Sequence, residues 1–372
     1  MSESLRNLST IEYGASPKEI RSNDSTSIGI YGTGGLVGSA TKPLFHGPLV
    51  VVARKGTLDK PLFITGDCWV IDTAYAVLPN ANVDAKWLYY NLLKFDLKKL
   101  NESTGVPSIS RDYLYRVTFE TFPLSEQRKI ARILSTVDAV IEKTEAAIAK
   151  YKAIKSGMMR DLFTRGIDLK TQKLRPSYEY APELYKQSEL GWVPKEWEVV
   201  KIGELASMKS GEGIISNSIF DYARYPVYGG NGLRGFTTEY THDGNYFLIG
   251  RQGALCGNVN RVMGKFYASE HAVVVSVLDQ ISVDWLSQLL AVMNLNQYSE
   301  ASAQPGLAVS KILSLIIKKP QFNEQKEIAK HLLSIDSKAR IENKILYKYQ
   351  QLKSALMFDL LTGIVRVKVS EP

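Results

Sequence analysis

Two short segments of the chain carry residue types that are suited to contact with a base pair. Arg54-Lys55-Gly56 and Arg251-Gln252-Gly253 each follow an apolar run, and they align at an offset of 197 residues. Arginine is the commonest side chain that pairs with guanine through two hydrogen bonds, and glutamine pairs with adenine in the same way. A surface turn explains either segment equally well on residue type alone. Because Arg and Gly recur together, we expect the arginines to face a ligand and the glycines to serve the backbone.

A glycine-rich segment, Gly230-Asn231-Gly232-Leu233-Arg234-Gly235, matches the GxGxxG spacing. A dinucleotide or S-adenosylmethionine loop of that kind requires a helix directly afterwards, because the helix N-terminus holds the phosphate. Here an apolar strand follows, which predicts a hairpin. The aligned segment from Gly32 to Gly38 breaks the spacing, although Tyr31 aligns with Tyr228. A glycine-rich loop with polar tip residues can approach a DNA backbone closely.

A third segment, from Leu255 to Arg261, is interpreted as a loop that carries Asn and Arg side chains. Its counterpart, Thr57-Leu58-Asp59-Lys60, has a different sequence. Different loops on a common frame would allow two regions to recognise different targets, and ordinary divergence after duplication is equally consistent. The candidate DNA contacts are Tyr31, Thr33, Arg54, Lys55, Lys60, Tyr228, Asn231, Arg234, Arg251, Gln252, Asn258, Asn260 and Arg261.

The sequence contains no recognisable catalytic or metal-binding motif. The four histidines are scattered, without the spacing of a metal site. There is no GxSxG motif, no Walker A loop and no amino-methyltransferase motif, and the carboxylates lack a recognisable nuclease spacing. We therefore expect no catalytic residue, no metal site and no cofactor bound by this chain.

Composition points to a polyanionic partner and a reducing compartment. The 372 residues carry a net charge of +8, which favours nucleic acid only mildly. Cys68 and Cys256 are isolated and do not suggest a disulfide scaffold. The N-terminal residues lack the apolar core of a signal peptide, and no apolar run reaches the length of a membrane span. We expect a cytoplasmic protein without a membrane partner.

The chain contains a long internal repeat. Glu126-Gln127-Arg128-Lys129-Ile130-Ala131 returns as Glu324-Gln325-Lys326-Glu327-Ile328-Ala329, at an offset of 198 residues. Asp138 and Asp336, Lys155 and Lys353, and Asp161 and Asp359 align at the same offset. This period is too long for a solenoid unit. It indicates a duplicated module, and hence a protein that binds something in two places.

Each module is predicted to combine strands and helices. Leu49–Ala53 and Cys68–Ile71 read as strands in the first copy, and Tyr246–Ile249 and Ala272–Val275 in the second. Lys86–Leu93 and Asp284–Leu290 read as helices. The fold class is therefore α+β, with two mixed α/β domains related by a pseudo-two-fold repeat.

Each module then ends in a long helix with an apolar seam. Ser125 and Asn323 are the predicted N-caps, after Pro123 and Pro320, and Gly166 and Gly363 are the predicted stops. A helix of about 38 residues is a rod of roughly 57 Å. The two helices are expected to cover each other as an antiparallel coiled coil. The predicted seam residues are Ile130, Leu134, Val137, Ile141, Thr144, Ile148, Tyr151, Ile154, Met158 and Leu162, and Ile328, Leu332, Ile335, Ala339, Leu346, Tyr349, Leu352 and Leu356.

Domain boundaries follow from these patterns. The second module starts with Leu190-Gly191-Trp192-Val193-Pro194, which the first module lacks, so the leading strand of the first module is expected to be shortened or absent. The predicted segments are a first domain at 1–123, a central helix at 124–166, a linker at 167–189, a second domain at 190–320, a C-terminal helix at 321–365 and a tail at 366–372.

Three features together resemble the specificity subunits of Type I restriction–modification systems. They are the two Glu-Gln-(Lys/Arg)-x-Ile-Ala helix starts, the Gly-Trp-Val-Pro start of the second module, and the endings Lys155–Thr164 and Lys353–Thr362. The resemblance covers nearly the whole chain. It implies two target-recognition domains, each for one half of a bipartite, asymmetric site in double-stranded DNA, and a helical spacer between them.

The resemblance also implies partners. Two methyltransferase subunits with S-adenosylmethionine, and restriction subunits with ATP and Mg²⁺, would assemble on a chain that performs no chemistry itself. The residues it assigns to docking or to the coiled coil are Glu126, Gln127, Ile130, Tyr151, Lys155, Asp161, Glu324, Gln325, Ile328, Tyr349, Lys353 and Asp359.

Three alternatives stay open at this point. The chain could be an S-like recognition module of a Type II system, which differs only in its partner. It could be an enzyme with its own S-adenosylmethionine site at Gly230–Gly235. A coiled-coil scaffold is the third, and it leaves the repeated Arg-x-Gly segments unexplained.

Overall fold

The computed structural model describes residues 2–22, 28–253, 255–299 and 306–369. These residues form two compact units. Unit 1 combines Met1–Ala146 with Glu342–Pro372, and unit 2 is Ala147–Ile341. Unit 1 is therefore built from two separate stretches of chain, whereas unit 2 is continuous.

Among the described residues, the chain up to the end of the first long helix contains ten strands and four α-helices. They are β1 (Ser2–Ser4), α1 (Leu5–Leu8), β2 (Ser9–Tyr13), β3 (Arg21–Ser22), β4 (Ile28–Gly32), β5 (Gly35–Ala40), β6 (Leu49–Ala53), β7 (Leu62–Ile64), β8 (Cys68–Val70), β9 (Ala74–Pro79), α2 (Ala85–Lys94), α3 (Arg111–Arg116), β10 (Thr118–Glu120) and α4 (Leu124–Thr164).

The chain after the first long helix repeats this plan. It contains β11 (Ile167–Asp168), β12 (Lys173–Leu174), β13 (Tyr185–Ser188), β14 (Gly191–Pro194), β15 (Glu198–Lys201), β16 (Ala206–Ser210), β17 (Tyr225–Gly229), β18 (Gly232–Thr237), β19 (His242–Gly250), β20 (Val259–Ala268), β21 (Ala272–Val277), α5 (Val283–Val292), α6 (Val309–Leu313), β22 (Ile316–Lys319) and α7 (Phe322–Thr362).

The sheets of the two units correspond. Among the described residues, the sheets of more than two strands have the orders β2-β9-β6-β7 and β3-β5-β4-β8 in unit 1, and β16-β21-β19-β20-β17-β18 in unit 2. In both, the hairpin strand that comes first pairs in parallel with a later strand, β4 with β8 and β17 with β20. The leading strand predicted to be shortened or absent is present as β1, whose three residues pair with β10. The counterpart of β1 in unit 2 is β15, which has four residues and pairs with β22.

Each unit has one main apolar core under its sheet. In unit 1 the fully buried Trp87 of α2 packs with Val50 and Val52 of β6. In unit 2 the fully buried Trp285 of α5 packs with Phe247 and Ile249 of β19. Burial of each large side chain contributes about 1.5–3 kcal/mol. The predicted strands and helices around these residues are confirmed.

Portions of both long helices belong to each core. Ile130 of α4 lies with Met357 and Leu360 of α7 in the core of unit 1. Leu162 of α4 lies with Ile328 of α7 in the core of unit 2. In unit 1, Asp138 pairs with Lys353, so the position along α7 falls as the position along α4 rises. In unit 2, Lys155 pairs with Asp336 and shows the same relation. The helices therefore run antiparallel within each unit, as predicted.

The predicted seam is wrong at one position in each helix. Ile154 and Leu352 are 37% and 44% exposed, whereas the next residues, Lys155 and Lys353, turn inward. A strict heptad, with steps of three and four residues from Ile148 through Tyr151, reaches Lys155 and not Ile154. The heptad period therefore continues through both helices, but a lysine occupies this heptad position in each of them.

The helix starts also differ from the predicted caps. α4 begins at Leu124, and the Pro123 carbonyl accepts hydrogen bonds from Glu126 N (2.9 Å) and Gln127 N (3.0 Å). Ser125 and Asn323 therefore lie inside the first turns and are not N-caps. The predicted stops are confirmed, since Gly166 and Gly363 follow the helix ends with φ of 64° and 75°.

The predicted linker contains regular structure, because β11 pairs with β12 and β13 pairs with β14. Among the described residues, no helix combines the length and the apolar character that crossing a membrane requires.

Candidate nucleic-acid interface

In unit 2, the β17–β18 hairpin brings its tip against the start of the Arg251 segment. The turn is Gly230-Asn231, and Gly232 has a φ of 96°. A Cβ atom on Gly230 would lie 2.8 Å from the His271 carbonyl oxygen and 3.3 Å from Gly250 Cα. This close approach requires glycine. The GxGxxG segment is therefore the predicted hairpin, and no helix follows it.

A shallow depression lies between the hairpin tip and the Arg251 segment. It is lined by Gly229, Gly230, Asn231, Arg234, Gln252, Gly253 and His271. Three of its polar residues, Asn231, Arg234 and Gln252, are predicted DNA contacts. Their amide and guanidinium groups can pair with base edges or phosphates.

His271 belongs to this depression and is absent from the predicted contacts. Its carbonyl accepts a hydrogen bond from Arg251 N (3.0 Å), and its Nε2 lies 3.1 Å from Glu270 Oε1. The signal that could have identified it is its place directly before the apolar run Ala272–Val275. That place puts it at the same sheet edge as the Arg251 segment.

Arg251 itself is exposed. Its Nη1 donates to Ser210 Oγ at 3.1 Å, which steers the guanidinium without burying it. The neighbouring Gly253 has a φ of 84°. Gly253 therefore has a backbone conformation that favours glycine, and the Arg251 side chain is open to solvent.

In β20 and in the segment directly after it, buried polar atoms lack a hydrogen-bond partner among the described residues. They are Asn260 Nδ2, Ser269 Oγ and Glu270 Oε2. Asn260 Oδ1 lies 3.6 Å, and Ser269 Oγ 3.4 Å, from the positions that Cβ atoms on Gly232 and Gly229 would take. An unpaired buried polar group costs about 1–3 kcal/mol, so such groups favour a site that water or a ligand completes.

Unit 1 repeats this arrangement with other side chains. A Cβ atom on Gly56 would lie 3.6 Å from Thr33 Oγ1, which places the β4–β5 hairpin tip beside the Arg54 segment. Arg54 Nη1 donates to the Asp72 carbonyl (3.3 Å), and its guanidinium lies 5.2 Å from the centre of the Tyr13 ring. Lys55 is exposed on the same segment.

Matching main-chain hydrogen bonds show that the backbone around the Arg54 segment is equivalent to the backbone around the Arg251 segment. Arg54 N donates to the Thr73 carbonyl at 2.9 Å, and Arg251 N donates to the His271 carbonyl at 3.0 Å. The residues that accept these two hydrogen bonds have different side chains, because Thr73 of unit 1 occupies the position of His271 in unit 2.

A second matching pair extends this equivalence to the hairpins. Ile71 N donates to the Tyr31 carbonyl (3.1 Å), and Ser269 N donates to the Tyr228 carbonyl (2.8 Å). The backbone is conserved between the two units, whereas the polar chemistry presented on it is not. Arg234 of unit 2 likewise corresponds to Val37 of unit 1, which is 45% exposed.

Several predicted contacts lie elsewhere. Tyr31 and Tyr228 are half-buried against apolar clusters, and Tyr228 packs edge-on against Phe266 at 6.0 Å. Asn258 and Lys60 are exposed on their loops. Both tyrosines therefore serve the hairpin more than a ligand.

The loop prediction for Asn260 and Arg261 is wrong, because β20 already begins at Val259. Arg261 Nε lies 2.7 Å from Asp284 Oδ1, and its Nη2 donates to Asn245 Oδ1 at 2.6 Å. Strand pairing with β19 turns Arg261 toward α5 and occupies its donors. Arg261 is therefore not part of the candidate interface.

The repeated Glu-Gln motif is buried in both units. Gln127 Oε1 accepts from Asp84 N (2.8 Å) and its Nε2 donates to the Phe122 carbonyl (2.8 Å). Gln325 makes the same bonds with Ser282 N (2.8 Å) and the Pro320 carbonyl (2.9 Å). Each glutamine thus fastens the start of a short helix to the start of a long one.

The glutamates hold the segment that follows the other long helix. Glu324 is 1% exposed and accepts from Ile167 N (2.9 Å), Trp197 Nε1 (2.9 Å) and the guanidinium of Arg175. Glu126 accepts from Arg366 Nε (2.8 Å), and this hydrogen bond is the main reason that the pKa of its carboxyl is lowered. These motif side chains present almost no surface to a partner.

The other residues assigned to docking or to the seam range from buried to half-buried. Ile130 and Ile328 are buried in the cores, whereas Tyr151 and Tyr349 are half-buried. Lys155 and Lys353 form ion pairs, and Asp161 lies 2.9 Å from Arg165. Asp359 is half-buried.

No group of three or more His, Cys, Asp or Glu side chains in the described part of the chain is arranged to hold a metal ion. Both cysteines are buried thiols, and burial raises the pKa of Cys68 to about 11. A thiol with so high a pKa is a poor nucleophile at neutral pH.

Comparison with known sequences gives a consistent result. A sequence model described as "Type I restriction modification DNA specificity domain" matches residues 4–151 and 194–350. Over 140 residues the chain is 49% identical to the Type I restriction enzyme EcoprrI specificity subunit of Escherichia coli, a match that covers 37% of this chain and 35% of that protein. It is 26% identical over 329 residues to the MjaVIII specificity subunit of Methanocaldococcus jannaschii, covering 78% of this chain and 72% of that one.

Solved structures share the fold. The S subunit of a Type I restriction-modification system from M. genitalium superposes with a TM-score of 0.72 at 16% identity, over 97% of this chain and 96% of that one. A chain from a study of complex assembly and conformational transition of the type I R-M system gives a TM-score of 0.51 at 13% identity, with 98% of both chains covered.

Proposed function

Because the chain belongs to the family of Type I restriction–modification DNA specificity subunits, which are non-catalytic, we propose that it recognises a bipartite, asymmetric DNA site and directs its partner subunits to that site. Each unit binds one half-site through its hairpin tip and its Arg-x-Gly segment. The residues proposed to contact DNA are Thr33, Arg54, Lys55 and Lys60 in unit 1, and Asn231, Arg234, Arg251, Gln252 and Asn258 in unit 2, with His271 added.

The observation that carries this proposal is the repetition of one backbone frame with different side chains. Equivalent hydrogen bonds position Arg54 and Arg251 in the two units. The neighbouring side chains differ, Lys55 against Gln252 and Thr73 against His271. Two such surfaces suit two half-sites of different sequence, because the base pairs are distinguished by the donors and acceptors that meet them.

The proposed partners are two methyltransferase subunits, which bind S-adenosylmethionine, and restriction subunits, which use ATP and Mg²⁺. They dock on exposed faces of α4 and α7, and the assembly works on DNA in the cytoplasm. In the assembly this chain contributes recognition, and the chemistry belongs to its partners.

Methylation mapping in cells tests the proposal. Cells carry this chain together with its neighbouring methyltransferase gene, and methylated adenines are located by sequencing. We expect a bipartite, non-palindromic motif that disappears when the chain is removed. If no methylation depends on the chain, the proposed function is wrong.

A further inference from the structure

Four charged residues of the long helices form two crossed ion pairs. Asp138 of α4 lies 2.6 Å from Lys353 Nζ of α7 in unit 1. Asp336 of α7 lies 2.7 Å from Lys155 Nζ of α4 in unit 2. These are the aspartates and lysines that recur at the 198-residue offset. In each pair, the aspartate of one helix copy meets the lysine of the other copy.

Both pairs lie within the seam and not on the open surface. The four side chains are between 22% and 27% exposed. Exposed ion pairs contribute little, whereas a partly buried pair strongly disfavours any arrangement that separates its charges. The lysines occupy heptad positions that a purely apolar seam would give to a residue such as leucine.

A short helix of each unit supports the aspartate. Tyr90 of α2 donates to Asp138 Oδ2 at 2.6 Å, and Gln288 of α5 donates to Asp336 Oδ2 at 3.1 Å. Burial raises the pKa of Tyr90, so its hydroxyl remains a donor at neutral pH. Each crossed pair therefore connects both long helices to the globular part of its own unit.

An apolar heptad seam alone permits a slip of seven residues, because each such register presents similar contacts. After a slip of seven residues, Asp138 would face Leu346 or Leu360 in place of Lys353. Both aspartates would then lose their lysine while keeping the hydrogen bonds from Tyr90 and Gln288. Lys155 would face Ala329 or Asn343 in place of Asp336 and would lose its carboxylate partner. A polar pair in an apolar seam selects one register for this reason.

We propose that the crossed pairs Asp138–Lys353 and Asp336–Lys155 fix the register of α4 against α7 and thereby set the single half-site separation that the protein accepts. This inference rests on the proposed function. At a rise of 1.5 Å per residue, a slip of seven residues moves one helix by about 10 Å, the length of about three base pairs. The four residues act as positioning residues and do not contact DNA.

The test measures methylation against half-site spacing. Cells carry the chain with its neighbouring methyltransferase gene and a plasmid set in which the mapped half-sites are moved one to four base pairs closer or farther apart. The variant Asp138→Asn with Asp336→Asn removes both negative charges and keeps the side-chain shape. A second variant exchanges the charges of both pairs, with Asp138→Lys, Lys353→Asp, Asp336→Lys and Lys155→Asp.

Glu327→Gln is the matched control. It removes an ion pair in which Glu327 and Lys330 lie 3.0 Å apart within α7 alone, so the register is not affected. The single variants Asp138→Asn and Asp336→Asn, each with one crossed pair intact, supply the measurement if the double variant does not accumulate.

We expect the double Asn variant to raise methylation at neighbouring spacings, relative to the preferred spacing, by at least about tenfold, the factor that one charge-assisted hydrogen bond supplies. The charge exchange should restore the strict preference, and the control should keep it. Methylation that falls equally at all spacings would overturn the inference and leave the proposed function intact. If the unaltered chain directs no methylation, the proposed function itself fails.

Discussion

Arg251 and Arg261 lie ten residues apart, and both are predicted DNA contacts, yet their surroundings give them different roles. The Arg261 guanidinium is engaged by Asp284 and Asn245, whereas Arg251 is exposed beside the hairpin tip. An arginine whose N–H donors are used within the protein has no free pair of donors for two hydrogen bonds to a guanine. Residue type alone could not separate the two, because their partners come from distant parts of the chain.

Replacing Arg251 by alanine should weaken specific DNA binding by about 1–3 kcal/mol and relax discrimination at one base pair, since one bidentate contact is lost. Affinity for a panel of duplexes with single base-pair changes measures this. Arg340→Ala, an exposed arginine on α7, is the control. A uniform loss across all sequences, with a shallower dependence on salt, would instead identify a phosphate contact.

Glu324→Gln should lower the free energy of unfolding by about 3 kcal/mol, because it leaves the guanidinium of Arg175, 8% exposed, without its main carboxylate partner. The value is at the low end for a buried pair because Glu196 still pairs with Arg175. Glu126→Gln should cost much less, since Arg366 is 62% exposed and returns to water. Urea unfolding compares the two variants, and equal losses would contradict the prediction.

The Glu126–Arg366 pair should also make stability sensitive to acid. The pKa of Glu126 is lowered from 4.5 in the folded protein, mainly by the hydrogen bond from Arg366. The pair therefore stabilises fully above the unfolded pKa, and this contribution is lost as pH falls through the lowered folded pKa. The difference in unfolding free energy between the unaltered protein and Glu126→Gln should be constant near neutral pH and shrink below pH 4.5. If this difference in unfolding free energy does not change with pH, the charge of Glu126 does not contribute to stability.

At the scale of elements, the hairpins depend on glycine where the backbone is crowded. Gly235 has a φ of 147°, and a Cβ atom there would lie 2.6 Å from Ile219 Cγ2 and 2.8 Å from the Phe220 carbonyl oxygen. Phe220 and Phe236 exchange two main-chain hydrogen bonds of 2.8 Å beside it. The hairpin and the segment before it are thus held at a distance that only glycine permits.

Gly235→Ala should destabilise unit 2 by about 1–3 kcal/mol and weaken DNA binding with it, because the strained backbone must shift the hairpin tip. Thermal unfolding and duplex affinity measure the two effects. Gly213→Ala is the control, since nothing lies within 4 Å of the Cβ that it would add. Should both variants behave alike, crowding at Gly235 is not important.

Local sequence patterns predicted most of the helices and strands. The predictions that failed concern residues whose environment depends on contacts with distant segments of the chain. The strands around Leu49–Ala53, the hairpin at Gly230–Gly235 and the long heptad helices follow from residue spacing. The assignment of Arg261 to a loop failed because β20 is extended by pairing with β19, which the local sequence does not reveal. The burial of Glu126 depends on Arg366, 240 residues away, and so no window of sequence could show it.

At the scale of the whole molecule, each long helix serves both units. The first part of α4 lies in the core of unit 1 and its last part in the core of unit 2, and α7 does the reverse. Both helices have 41 residues. Any change of length in one helix must therefore be matched in the other if both crossed ion pairs are to form.

Deleting residues 139–145 together with 337–343 should keep both crossed pairs and shorten each helix by about 10 Å. The preferred half-site spacing should decrease by up to about three base pairs, as read by methylation of the spaced plasmid set. Deleting 139–145 alone is the mismatched control, and it should abolish directed methylation. An unchanged spacing in the matched deletion would mean that the helices do not determine it.

Unit 1 cannot be completed in the order in which the chain is synthesised. Its core contains Ile130 and Leu134 from the first stretch, and Met357, Leu360 and Leu361 from the second. Unit 2, which is continuous, is synthesised in full between them. On the ribosome, the face of the unit 1 core that α7 covers therefore stays exposed while unit 2 is synthesised, and exposed apolar surface of this kind is prone to aggregation unless a chaperone shields it.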